Sequence, residues 1–123
     1  MALKYSPQVV EKFRQALEFS GGFEVSDDLL SGHAGDRRQG AEIRFYRRPD
    51  AAVINGLGYR VYGCPHLVAA CEQLRQDLEG AELIRAEQLE PMEIMASLGI
   101  PPEKAGKILL LQDALVACCR EAT

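Results

Sequence analysis

The residue best placed for chemistry lies in Gly58-Tyr59-Arg60-Val61-Tyr62-Gly63-Cys64-Pro65-His66. Tyr59 and Val61 alternate with Arg60 and Tyr62, the period of a half-buried strand. Gly63 permits a sharp turn, and Pro65 suits the first position of a helix, where its missing N–H costs nothing. Cys64 is thereby left at the N-cap. There it faces unpaired backbone N–H groups and the positive end of the helix dipole, both of which favour thiolate over thiol. A sulfur atom so placed suits sulfur transfer or a soft metal. The same geometry also suits a small residue that merely closes a turn.

The other candidates for chemistry carry less. Cys71 falls in an apolar helical stripe and reads as packing. Cys118 and Cys119 are neighbours on a helix and point about 100° apart, so one is expected inside and the other near solvent. No pair is spaced C-x-x-C, which leaves a closed zinc site unsupported. The segment Ser31-Gly32-His33-Ala34-Gly35-Asp36 is a loop by composition. It is friendly to phosphate but lacks the spacing and the lysine of a P-loop. Glu103 and Lys107 read as a surface ion pair at helical spacing. Five arginines fall between Arg37 and Arg48. They read as a solvated sheet edge kept from aggregating by charge, in preference to a docking surface. No Ser-His-Asp order or paired-carboxylate motif is present.

Composition sets the frame. At 123 residues the chain makes one domain, 1–123, with a core that needs no staples. Hydrophobic residues at 47% and charged residues at 26% are ordinary for a globular protein. A net charge of −4 argues against generic nucleic-acid binding. No apolar run approaches the roughly 20 residues that span a bilayer, and Met1-Ala2-Leu3-Lys4-Tyr5 lacks a secretory core. The expected location is cytoplasmic, where four cysteines do not make a disulfide framework.

The elements that position Cys64 follow from periodicity. Residues 6–18 form a helix capped by Ser6 and opened by Pro7, with Val9, Val10, Phe13, Ala16 and Leu17 on one face and Gly21-Gly22 ending it. A weak strand is possible from Phe23 to Leu30. A clearer strand sets Ala41, Ile43 and Phe45 against Glu42, Arg44 and Tyr46. After Pro49-Asp50 the next runs from about Val53 to Tyr62. The helix after Cys64 continues to about Leu78 and buries Leu67, Cys71, Leu74 and Leu78, with Gly80 closing it. A shorter helix from Pro91 to Gly99 presents Met92, Met95 and Leu98. Ile100-Pro101-Pro102-Glu103-Lys104 forms a stiff extended corner. The last helix buries Ile108, Leu111, Leu115 and Cys118, with Leu109 and Val116 beside them. Helix, two or three antiparallel strands, then three helices make an α+β fold, a small meander with helices on one face.

These pieces, in this order, resemble the iron–sulfur cluster scaffold family, the IscU proteins and the N-terminal domain of NifU. The resemblance covers most of the chain. It rests on the opening Tyr5-Ser6 helix, Gly35-Asp36, Tyr62-Gly63-Cys64, the Ile100–Lys104 corner and Asp113-Ala114 in the last helix. It implies a SufE/NifU-like fold and a role in assembling iron–sulfur clusters as a scaffold, not a turnover catalyst. The cargo would be iron or a cluster, held transiently, and the partners a cysteine desulfurase and a chaperone gripping Ile100, Pro101, Pro102, Glu103 and Lys104.

The family's ligand set is incomplete in this chain. Its three cysteines and aspartate fall at Ala34, Cys64, Lys107 and Asp36, so two of the three thiolates are replaced. The histidine that precedes the third cysteine falls at Gly106, the Asn-Pro-Arg loop after the first helix is absent, and Glu103 stands where the chaperone motif is apolar. Cys64 and Asp36 remain, and His33 and His66 could add nitrogen ligands. Two chains sharing their Cys64 thiolates in a homodimer would restore part of the count. The alternatives are a single-cysteine persulfide carrier of the SufE kind, with Cys64 as acceptor beside Lys107, and an interaction paralogue without cargo.

Overall fold

A computed structural model describes residues 5–120. Of the segment Met1–Tyr5, expected to lack a secretory core, all but Tyr5 lies outside the described residues.

The first helix, α1, spans Pro7–Gly22. The Ser6 hydroxyl oxygen accepts from the Val9 N–H at 3.0 Å and donates to the Leu98 carbonyl, so one side chain caps α1 and ties it to a later helix. The expected apolar face is narrower than its sequence suggests. Val9 and Ala16 are buried, whereas Val10 and Leu17 are 56% and 59% exposed. The reason is that α1 packs chiefly against one helix, α2 (Pro65–Leu78), and a helix–helix seam covers a narrower stripe than a sheet does.

Three antiparallel strands follow in the spatial order β1-β2-β3: β1 Leu30–Asp36, β2 Ala41–Arg48 and β3 Asn55–Tyr62. The segment expected to be a loop, Ser31–Asp36, is thus part of an edge strand, and the weak strand expected over Phe23–Leu30 begins only at Leu30. The loop-like composition has a tertiary cause. A Cβ on Gly32 would stand 2.0 Å from the backbone nitrogen of Cys118, so the last helix lies directly on this strand. The register shifts between Tyr46 and Arg48, and the Glu79 carboxylate accepts from the Gly56 and Leu57 N–H groups there, at 2.8 and 2.6 Å.

Strand β2 is central, so the arginines are not on an edge as expected. Arg47 is fully buried and continues the inward face of Ala41, Ile43 and Phe45. Its guanidinium donates to the carbonyls of Cys118 at 3.1 Å and Asp50 at 3.0 Å, locking the end of the last helix to the turn after β2.

Helix α2 spans Pro65–Leu78 and α4 spans Ala105–Arg120, and they cover one sheet face, α4 over β1 and β2 and α2 against β3. Helix α3, Pro91–Leu98, packs on both and ends at Gly99 in the left-handed conformation. Met95 and Leu98 are buried as expected, but Met92 and Leu109 point to solvent. The proline corner is a turn of 3₁₀ helix over Pro102–Lys104, preceded by one extended proline, not an extended run. No helix among the described residues is long and apolar enough to cross a membrane.

Candidate functional site

Cys64 is the N-cap of α2, with extended backbone. Its carbonyl accepts from the N–H groups of Leu67 and Val68 at 3.0 and 3.1 Å, which fixes the start of the helix. Its half-buried side chain makes no capping hydrogen bond. The thiol is therefore not consumed by the turn that presents it. Gly63 leaves room beside it, because a Cβ there would stand 2.7 Å from the tip of the buried Leu67 side chain, which would have to shift.

The same end of the sheet carries the other positions of interest. Asp36 closes β1 and caps a 3₁₀ turn over Arg37–Gln39. Its carboxylate accepts from the Arg38 backbone N–H at 2.8 Å and then from the Arg38 guanidinium at 3.2 Å. Those two donors, in that order, hold the carboxyl below the usual aspartate range. Gly40 ends the turn at φ 87° and leads into β2 at Ala41. A Cβ on Gly40 would meet the Lys107 ammonium at 3.6 Å, and one on Gly63 would lie 3.6 Å from the Gly40 carbonyl oxygen. Gly40 thus sits between Lys107 and the Gly63-Cys64 turn. Ala34 lies on the helix-facing side of β1, paired through Ile43 to Val61. The Cβ of Gly106 would point into open space.

The two histidines do not join this group. His33 sits one residue before Ala34 in β1 and so faces the opposite side of the sheet, where its Nε2 lies 3.1 Å from the Glu42 carboxylate. His66 turns inward, 4% exposed, with its ring 4.8 Å from that of Tyr5 and its Nδ1 without a hydrogen-bond partner. Burial, and next the charge of Lys104, press its imidazolium pKa down. Among the described residues no three His, Cys, Asp or Glu side chains converge as metal donors.

Cys71 is packing, as its pattern suggests, and Cys118 is the inward member of the Cys118-Cys119 pair. Cys71 and Cys118 are fully buried. Cys119 is half-buried, and burial raises its thiol above the ordinary range. Of the expected chaperone corner, Ile100 is buried while Pro102 and Glu103 are exposed. Sequence reasoning missed a buried polar cluster behind the site. Glu72 is 1% exposed and accepts from Tyr59, Arg75 and Gln76. Its position next to Cys71, inside the α2 stripe, was the available signal.

The family model for the NifU-like N terminal domain matches residues 4–121. The chain belongs to the NifU-like N-terminal domain family. Its NifU-like sequence is 32% identical over 121 residues to the bifunctional protein NifU/MnmA of Rubrobacter xylanophilus, covering 94% of this chain but only 24% of that protein. It is 24% identical over 121 residues to the iron–sulfur cluster assembly scaffold protein IscU of Azotobacter vinelandii, covering 97% of this chain and 94% of that one. In three dimensions the NifU-like domain is similar to the SufU protein of Fervidobacterium islandicum, with a TM-score of 0.67 at 16% identity over 94% of this chain and 96% of that one. It is also similar to the N-terminal part of a NifU-like protein from Brucella abortus, with a TM-score of 0.61 at 15% identity over 91% and 95%. These two likenesses bear out the α+β scaffold fold.

Proposed function

We propose that the protein serves iron–sulfur cluster assembly as a scaffold-type carrier, handling its cargo through Cys64 and turning over no substrate of its own. The observation that carries this is the unengaged, half-buried Cys64 thiol at the start of α2, at the sheet end that also holds Asp36 and Lys107. An iron–sulfur cluster normally takes one thiolate per open iron position. One chain offers Cys64 and the Asp36 carboxylate, and the carboxylate is already held by Arg38. Completing a site therefore takes donors from outside the chain, either a second copy presenting its own Cys64 or a partner. Anaerobic incubation with ferrous iron and sulfide, read by visible absorption together with sedimentation, tests this. Cluster colour that appears with a dimer and disappears in Cys64→Ser supports it. Colour unaffected by Cys64→Ser sinks it.

A second reading is favoured by the absence of three converging donors among the described residues. In it Cys64 receives sulfur from a cysteine desulfurase. The Cys64 thiolate attacks the outer sulfur of the donor's persulfide, the donor's S–S bond breaks, and the donor cysteine leaves as thiolate. A new S–S bond to Cys64 carries the sulfane sulfur with no net redox change. The Lys107 ammonium would steady the negative charge that arrives. Incubation with a desulfurase and free cysteine, followed by intact-mass measurement, separates the two readings: one added sulfur on Cys64 supports relay, and none refutes it. The Pro101-Pro102-Glu103-Lys104 turn is the proposed chaperone contact, through its exposed Pro102 and Glu103 rather than the buried Ile100.

A further inference from the structure

The sheet face turned away from the helices concentrates positive charge that the assembly role does not use. His33, Arg44 and Arg60 lie directly opposite one another, one on each strand. Arg44 and Arg60 are thereby like charges in cross-strand register, which is unfavourable on its own. Arg37 extends the group and stacks 5.1 Å over the ring of Tyr62, which is 48% exposed. Between them lies an open cleft of about 300 Å³. Glu42 is the only carboxylate among the described residues lining it, and His33 and Arg37 already engage it at 3.1 and 3.2 Å. The chain as a whole carries −4, so this positive patch is segregated from a negative remainder.

We infer that this outer face docks an acidic polypeptide surface, with Arg37, Arg44 and Arg60 meeting its carboxylates around the Tyr62 ring. Arginine and tyrosine are the side chains that most often anchor interfaces, and guanidinium forks match carboxylates in pairs. The other occupants fit less well. A second copy related by a two-fold axis would set the arginines against themselves. A nucleic acid would have to overcome the net negative charge of the rest of the chain. The inference stands apart from the assembly role, since it concerns the face opposite the helices and does not involve the Cys64 thiol.

The test uses the full chain and a fluorescein-labelled peptide of six glutamates, read by anisotropy. The expected result is saturable binding that weakens as salt rises. Replacing both Arg37→Gln and Arg44→Gln should weaken it about tenfold. The pair Arg37→Lys and Arg44→Lys should retain most of the binding, and Arg14→Gln on α1 should leave it unchanged. Arg60 is left alone because it also donates to the Phe23 carbonyl at 3.0 Å. Amide NMR of the unaltered chain during the titration should show shifts on the outer face of β1–β3, which keeps the inference testable if the glutamine variant unfolds. Absence of binding, equal loss in Arg14→Gln, unchanged binding in the double glutamine variant, or shifts confined to the helices would each overturn it. So would a six-phosphate oligonucleotide that outcompetes the peptide.

Discussion

The Tyr59 hydroxyl donates a 2.8 Å hydrogen bond to the Glu72 carboxylate, joining β3 to α2 behind the strand–helix junction that presents Cys64. Burial alone would push the Glu72 carboxyl pKa up. Hydrogen bonds from Arg75, Gln76 and Tyr59 outweigh it and hold the group below its ordinary 4.5. The folded value lies below the unfolded one, so the stabilisation is complete above about pH 4.5 and is lost as pH falls through the folded value. Urea unfolding at pH 7 and pH 3 should show it. Tyr59→Phe should cost about 1 kcal/mol at pH 7. Glu72→Ala, which strands Arg75, should cost about 3 kcal/mol and flatten the acid dependence. An unchanged pH profile in Glu72→Ala would remove Glu72 as its source.

Arg47 holds the C-terminal turn of α4 from inside the sheet. A buried cation beside helix-terminal carbonyls is favourable both as a donor and against the helix dipole. Arg47→Met keeps much of the volume but leaves the Cys118 and Asp50 carbonyls without these donors. A loss of about 3 kcal/mol is expected in chemical denaturation. Hydrogen exchange should rise first in the last turn of α4. A variant as stable as the parent would mean that the packed stem, not the guanidinium, matters.

Gly32 is where α4 meets β1 most closely. Gly32→Ala places a methyl group against backbone atoms of Ala114, Ala117 and Cys118 that have no side-chain freedom to yield. We expect a cost of about 3 kcal/mol, at the upper end for overpacking. Gly21→Ala, where nothing lies within 4 Å, is the control and should be near neutral in the same melt.

Thiol accessibility separates the four cysteines. Alkylation of the native protein with iodoacetamide, mapped by peptide mass, should modify Cys64 first and Cys119 more slowly. Cys71 and Cys118, both fully buried, should react only in denaturant. Labelling of Cys71 under native conditions would show that α2 opens readily, and Cys64 could then not be treated as a thiol fixed in place.

Particular residues show what the sequence alone could reveal. Ser6-Pro7, Cys64-Pro65 and Pro91 with Gly99 mark helix ends by local chemistry, and the helices begin and end there. Strand β1 was hidden because Gly32 and Gly35 meet tertiary demands: one admits α4, and the other adopts φ 90° opposite Glu42. A glycine that serves a distant helix looks, locally, like a turn. Arg47 was hidden for the reciprocal reason, since the carbonyl that draws it inward, that of Cys118, lies on a helix far away in the chain. At the site, Asp36, Cys64 and Lys107 were grouped by the resemblance to the family's motifs, and the sheet end at which they lie became visible only with the strands in place. The side to which His33 points depended on a strand that composition had concealed.

Lys107 and Ala34 give the sharpest test of how cargo is held. Both lie at or near the sheet end that carries Cys64, Ala34 on the helix-facing side and Lys107 beside Gly40. Converting Ala34→Cys and Lys107→Cys together supplies two further soft donors and removes an ammonium that repels iron. The double variant should bind roughly two irons per chain on anaerobic reconstitution with iron and sulfide, with broad visible charge-transfer absorption. The parent chain should hold less iron unless it dimerises. Ala34→Cys alone should gain little, because the Lys107 charge remains. Should the double variant take up no more iron than the parent, the sheet end is not preorganised for a cluster. The Cys64 thiol would then be better assigned to sulfur relay, where a single nucleophile is sufficient.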